Sequence, residues 1–201
     1  MLDLQEEKKL VLNYFNDLDN AENDKLTEII SKYTSDDFYM RCTHPFNEIK
    51  GAENFAKSLW EPIKKSFNPV QRRMDIFYAG VNSHDENQGR WVSSMGHLMG
   101  IFKKDFFGLR PNNKSVLLRY AEFYKIEHNK ITEGAFFLDL MNFMQQLGLS
   151  IIPESTGLVC VTPGPMNHRG LKFSLSDKKE GEKTLELIHR MRDRLVEGSK
   201  M

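Results

Sequence analysis

The stretch YAEFYKIEHNKITEGAFF, residues 120–137, constrains the fold more tightly than any other part of the chain. Its middle, His-Asn-Lys, has turn composition, and its flanks have the β-branched and aromatic content of two strands, so the segment predicts a β-hairpin. Side chains of a strand alternate between faces. Leu118, Tyr120, Glu122, Tyr124 and Ile126 therefore share one face, and Leu117, Arg119, Ala121, Phe123, Lys125 and Glu127 share the other. The first set reads as inward-facing. It carries one carboxylate, Glu122, between two tyrosines. A carboxylate there is either the working group of a pocket or a buried polar group held by tyrosine hydroxyls or an arginine.

The rest of the chain supplies helices before the sheet. Leu10, Val11, Tyr14, Phe15 and Leu18 recur at helical spacing, which predicts an amphipathic helix over about 3–19. Leu26, Ile29, Ile30 and Tyr33 predict a second, shorter helix, and DDFYMRCTH (36–44) a first strand. HPFNEIKG reads as a turn. Phe55, Leu59, Trp60, Ile63 and Phe67 give a third helix starting near Gly51. Period-two or continuous apolar patterns then place strands at about 70–82, 90–106, 115–127 and 131–138. Asp139 is the expected N-cap of a last helix that Gly148 closes. The order is α+β: helices first, then an antiparallel sheet, with one helix between its first two strands.

Residues 1–150 read as one domain and 151–201 as an extension. The extension is first rich in Pro and Gly. It ends in an apolar stripe of Thr184, Leu187, Ile188, Met191 and Leu195, which is expected to dock on the body or on a dimer mate rather than to begin a second cone-like unit, because a helix gains most of its stability by burying such a face and the chain leaves no room for a second sheet.

Composition narrows the function classes. Lys+Arg and Asp+Glu are both 28, so the formal net charge is zero, which argues against a broad basic surface for nucleic acid or anionic membrane and leaves only local patches open. Cys42 and Cys160 are far apart with no C-x-x-C, which gives neither a metal framework nor a disulfide scaffold and suits a reduced, cytoplasmic compartment. The first residues, MLDLQEEKKLVLNYF, lack the pattern of a signal peptide, and no window approaches ~18 continuous apolar residues, so no membrane span is expected. Fourteen Phe and ten Met suggest an interior with large, soft walls. There is no G-x-G-x-x-G, P-loop or metal-spaced His pair, so no cofactor is expected.

Three stretches, HPFNEIKGAENFAKSLWEPI (44–63), GRWVSSMGHLMGIFKKDFFGLRP (89–111) and LRYAEFYKIEHNKITEGAFFLDLMNFMQQLG (118–148), resemble the SnoaL-like polyketide cyclases of the nuclear-transport-factor-2-like superfamily. The resemblance implies a cone, in which a curved antiparallel sheet wraps long N-terminal helices around a pocket. It implies a small hydrophobic carbonyl compound as ligand and a cofactor-independent, aldol-type cyclase, isomerase or lyase reaction. There a positioned acid/base takes a proton beside a carbonyl and hydrogen bonds hold the enolate. It also implies a homodimer built on the outer face of the sheet, near Phe123. The superfamily includes plain binding modules as well. In the alignment with cyclase members, their strand histidine falls on Glu122 and their aspartate on Phe136. The usual carboxylate is thus absent.

The candidate catalytic residues are Glu122 and His97. His97 shares a strand face with Trp91, Ser93, Met95 and Met99. Candidate walls of the binding site are Tyr120, Tyr124, Phe136, Trp60, Met99 and His44, although His44 also reads as a turn residue before Pro45. Three functions compete: an enzyme using Glu122 as base, a non-catalytic ligand-binding cone, and a protein-interaction module. A cavity lined by both Glu122 and His97 favours the first. A core plugged by Phe136, with the carboxylate locked by an arginine, favours the others.

Overall fold

A computed structural model of the chain describes residues 4–82, 88–149, 153, 164–165, 167–175 and 177–198. Helix α1 (Gln5–Asn20) buries Val11, Tyr14, Phe15 and Leu18, the face its spacing predicts. A short 3-10 turn (Asn23–Lys25) leads into α2 (Leu26–Tyr33), which buries Leu26, Ile30 and Tyr33. Strand β1 (Thr34–Cys42) follows, then β2 (Glu48–Lys50).

The third helical body is α3 (Ala52–Phe55), a π-helical turn (Ala56–Trp60) and α4 (Glu61–Ser66) in unbroken succession. It starts after Gly51, whose φ of 79° is a left-handed conformation that glycine adopts without penalty. It buries Phe55, Leu59, Trp60 and Ile63.

Three long strands and a shorter one complete the sheet: β3 (Phe67–Val81), β4 (Arg90–Phe102), β5 (Ser115–Glu127) and β6 (Lys130–Leu138). The expected strand to residue 106 stops at Phe102. Beyond it, the amides of Lys103 and Lys104 turn aside to the Ser66 carbonyl, at 2.8 and 3.3 Å.

The six strands run in the order β2-β1-β6-β5-β4-β3. The expected antiparallel sheet is in fact mixed: β1 pairs with β6 in parallel, and the other pairs are antiparallel. A parallel pair needs a long crossover. Here that crossover is the whole run from β2 to β5, and the side-chain alternation of β1 carries no information about its neighbour's direction. The segment read as a turn also hides β2. Cys42 N–H donates to Asn47 O at 2.7 Å to close a tight loop, and Ile49 is buried opposite Met40. Three residues are too few to show a period.

Helix α5 (Leu140–Gln146) begins as expected, with Asn142 N–H donating to Asp139 Oδ1 at 3.0 Å, and ends at Gly148 with φ 78°. Gln146 fixes it to the sheet by bonding both Leu117 N and Leu117 O, at 2.9 and 2.8 Å. Its Phe143 joins Phe67, Phe102 and Phe106 in a cluster with ring centroids 5.1–6.1 Å apart. The phenylalanines expected to line a roomy interior thus largely pack on one another.

The described part of the extension has two portions. Residues 167–175 run along the edge of β3. Phe77 N–H donates to Gly170 O at 2.8 Å, and Lys172 N–H donates to Phe77 O at 2.7 Å. Position 170 must be glycine for this approach, because a Cβ there would lie 2.4 Å from Asp75 O. Helix α6 (Lys178–Gly198) then leaves its apolar stripe exposed: Ile188, Met191 and Leu195 are 54%, 58% and 73% accessible. The expected burial of this stripe on its own cone does not occur. Cys160 and His84 lie outside the described residues.

Candidate functional site at the inner face of the sheet

Strand β5 alternates buried and half-exposed residues along its length, so the hairpin parity read from the sequence holds. Leu118, Tyr120, Glu122, Tyr124 and Ile126 all point into the core, and Glu122 is fully buried. Its cross-strand neighbours are Ser94 on β4 and Phe136 on β6. Phe136 packs edge-on against Trp60, with centroids 5.8 Å apart.

The Glu122 carboxylate is tied at both oxygens. Arg72 Nη1 donates to Oε1 at 2.9 Å, and the Tyr124 hydroxyl donates to Oε2 at 3.1 Å. Arg72 reaches inward from β3, its side chain only 3% exposed. It also donates from Nε to Asp19 Oδ2 at 2.9 Å. Its guanidinium stacks over Phe15 at 4.1 Å and lies near the rings of Tyr120 and Trp60, at 5.0 and 5.3 Å. Beside this centre, Ser94 Oγ and the Tyr120 hydroxyl are 3.1 Å apart.

Burial dominates the electrostatics. It raises the Glu122 carboxyl above its ordinary range, and Arg72 pulls it partly back. Burial disfavours charge on Arg72, but Glu122 and Asp19 on either side outweigh that and hold the guanidinium firmly protonated. Burial also pushes Tyr120 up to about 12 and raises Tyr14 and Tyr124, so all three phenols stay neutral.

Two N–H groups of the centre, Arg72 Nη2 and Trp60 Nε1, are buried with no hydrogen-bond partner among the described residues. Buried donors without acceptors are uncommon and costly. A cleft of about 380 Å³ is lined by Asp19, Ala21, Lys64, Phe67, Pro69 and Val70 among others, and neither Arg72 nor Trp60 lines it. Asp19 lines the cleft and also bonds Arg72, so it connects the opening to the buried pair. Lys64 Nζ donates to the carbonyls of Asp19 and Ala21, at 3.0 and 2.7 Å, and fixes the rim.

The structure brings together Glu122, Tyr120, Tyr124, Phe136 and Trp60. It does not bring His97, Met99 or His44 to them. His97 lies in register with Arg73 and Arg119 on the outer face of β4, and its Nδ1 is 3.1 Å from Asp75 Oδ2. It is buried there, but one residue of parity separates it from the inner set. A site shared by Glu122 and His97 is therefore not formed. Met99 has the same outward parity, opposite Gln71 and Leu117. His44 is exposed in the loop between β1 and β2. Sequence reasoning missed Arg72 and Asp19. The signal for Arg72 was present: it shares a strand face with Val70 and Met74, a lone charge among apolar neighbours, as Glu122 is on β5. Among the described residues, no group of three His, Cys, Asp or Glu is placed to hold a metal ion, and no helix is long and apolar enough to cross a membrane.

The chain matches the SnoaL-like polyketide cyclase family over residues 13–147. No curated protein matches it. Among solved structures, it is similar to AclR of Streptomyces galilaeus, a candidate hydroxylase, at 20% identity and TM-score 0.58, over 76% of this chain and 91% of that one. A candidate SnoaL-like polyketide cyclase from Jannaschia sp. CCS1 aligns at 17% identity and TM-score 0.55, over 75% and 95% of the two chains. IdmH, a candidate polyketide cyclase from Streptomyces antibioticus, aligns at 11% identity and TM-score 0.55, over 70% and 97%. At these identities the likeness establishes the cone fold alone.

Proposed function

Since this chain belongs to the SnoaL-like polyketide cyclase family, we propose that it binds a small hydrophobic carbonyl compound at the Arg72–Trp60 centre, and that Glu122 is the fixed counter-ion of Arg72 rather than a free base. One observation carries this reading. Both Glu122 oxygens are engaged, by Arg72 and Tyr124, while two N–H donors beside them have no acceptor. A ligand carbonyl supplies the acceptor that these donors lack, and the surrounding rings of Phe15, Trp60 and Tyr120 suit an apolar body. The cleft at Asp19 and Lys64 is the entry route in this reading.

A second reading, a cyclase-type lyase or isomerase with Glu122 as acid/base, is favoured by the desolvation that raises its carboxyl. One experiment separates the two. The protein is titrated with 1-tetralone by calorimetry, and exchange of the proton next to the ketone is followed in deuterated buffer. Binding that Trp60→Phe weakens, without accelerated exchange, supports the binding reading. Exchange above the buffer rate that Glu122→Gln abolishes makes Glu122 a base. No binding of this or related aryl ketones removes both and leaves the interaction module.

A homodimer through the outer face of the sheet belongs to the same proposal. Phe123 and Phe137 lie edge to face there with centroids 6.1 Å apart, and Phe137 is 47% exposed. A cytoplasmic location is in keeping with the free thiol of Cys42, which burial raises to about 12 and so keeps unreactive.

A further inference from the structure

At the Arg90 end of β4, far along the strand from the Asp19 cleft beside Gly100, lies a smaller cleft of about 190 Å³. Glu6 and Glu7 of the first turn of α1, Arg90, Ile126, His128 and Asn129 line it. Glu7 is the unusual member. Its side chain is 8% exposed, and Arg90 Nη1 donates to Oε1 at 2.6 Å. Its other oxygen, Oε2, is buried with no donor among the described residues.

We propose that this cleft is a second binding site, for a small primary ammonium ion with a short apolar tail. The unpartnered group is a carboxylate oxygen, so its ligand must donate a hydrogen bond. A charge-assisted donor is the strongest that can meet it. Glu6 and Glu7 against Arg90 sum to one negative charge. The amino end of α1 offsets about half of a unit charge, so the cleft stays net negative. An anion is thereby disfavoured and a monocation suited. Ile126 supplies an apolar wall for the carbon tail, and the exposed His128 and Asn129 form the rim. Residues on four elements converge here, from α1, the start of β4, the end of β5 and the β5–β6 turn. The geometry does not involve the Arg72–Glu122 centre, so this site stands or falls separately from the function proposed above.

The test is a titration of the uniformly nitrogen-15-labelled full chain with n-propylammonium chloride, n-propanol and sodium propionate, followed by NMR. A ligand with so few atoms is expected to bind with a dissociation constant on the order of 1 mM. The propylammonium ion should give saturable shifts confined to residues 5–8, 90 and 126–129. Propanol and propionate should bind at least about tenfold more weakly. Glu7→Gln, which keeps the shape and removes the charge, should cost a similar factor. Glu53→Gln, far from the cleft in sequence and paired with Lys57 on the surface, should change nothing. If Glu7→Gln does not fold, Glu6→Gln replaces it, because Glu6 is exposed; a several-fold loss is expected. Equal affinity for propanol, indifference to both substitutions, or no saturable shift by about 50 mM overturns the proposal and leaves water in the cleft.

Discussion

Arg72 and Glu122 sit on strands that are not neighbours, β3 and β5, yet their side chains meet at 2.9 Å over the inner face of β4. The curvature of the sheet makes this reach possible, and the pair spans three strands with one contact. Removing one partner of a buried pair leaves an uncompensated charge. Glu122→Leu should therefore destabilise the protein by about 3–5 kcal/mol in urea unfolding. Combining it with Arg72→Met should cost less than the sum of the single changes, by more than about 1 kcal/mol. Additive losses would show that the two side chains are not coupled.

The same carboxyl sets a pH dependence. Burial holds Glu122 above its ordinary 4.5 in the folded state. Between that value and its folded one, the native state keeps a proton that the unfolded state has released. Stability from this group is thus present at low pH and falls as pH rises through the window, by at most about 1.4 kcal/mol per pH unit. Wild type should lose stability relative to Glu122→Gln as pH is raised from about 4.5. The check is urea unfolding of both proteins across the range; a difference independent of pH would mean that Glu122 is already ionised throughout.

Asp139 caps α5 through the Asn142 amide, at 3.0 Å. Asp139→Ala should lower stability by about 1 kcal/mol, and Asp139→Asn by much less, because asparagine caps nearly as well. Equal losses would point instead to the weak pairing of Asp139 with Arg119, 3.9 Å apart.

Assembly can be tested at Phe123. Sedimentation or light scattering at tens of micromolar protein should give a dimer, and Phe123→Glu should give a folded monomer. A wild-type monomer would remove the proposed interface.

The legible parts of the molecule were those where one face is wholly buried. Glu122 was placed inside because Tyr120 and Tyr124 flank it at period two, and a slip of one residue would have exposed every apolar side chain on the inner face of β5. The helix of Asp139 was legible because its cap, N–H acceptor and closing glycine are all local. His97 misled because β4 is buried on both faces: Ser93 and Ser94, Gly96 and His97 give no alternation to read. The parallel pairing of β1 with β6 and the partner of Glu122 were illegible for a common reason. Each depends on residues some fifty or more positions away, and local spacing does not encode them. The exposed stripe of α6 was readable as a stripe, but what covers it is not a property of the helix.

Gly170 brings the extension against β3, at a position where any side chain would strike the Asp75 carbonyl. Strand β3 is the last of the sheet and one of its longest, at fifteen residues. An uncovered strand of that length is a template on which a foreign chain can add itself. Occupying Phe77 with its own main chain, the protein denies the middle of that template to others. Removing the extension would leave this part of the edge open to strand addition by another chain.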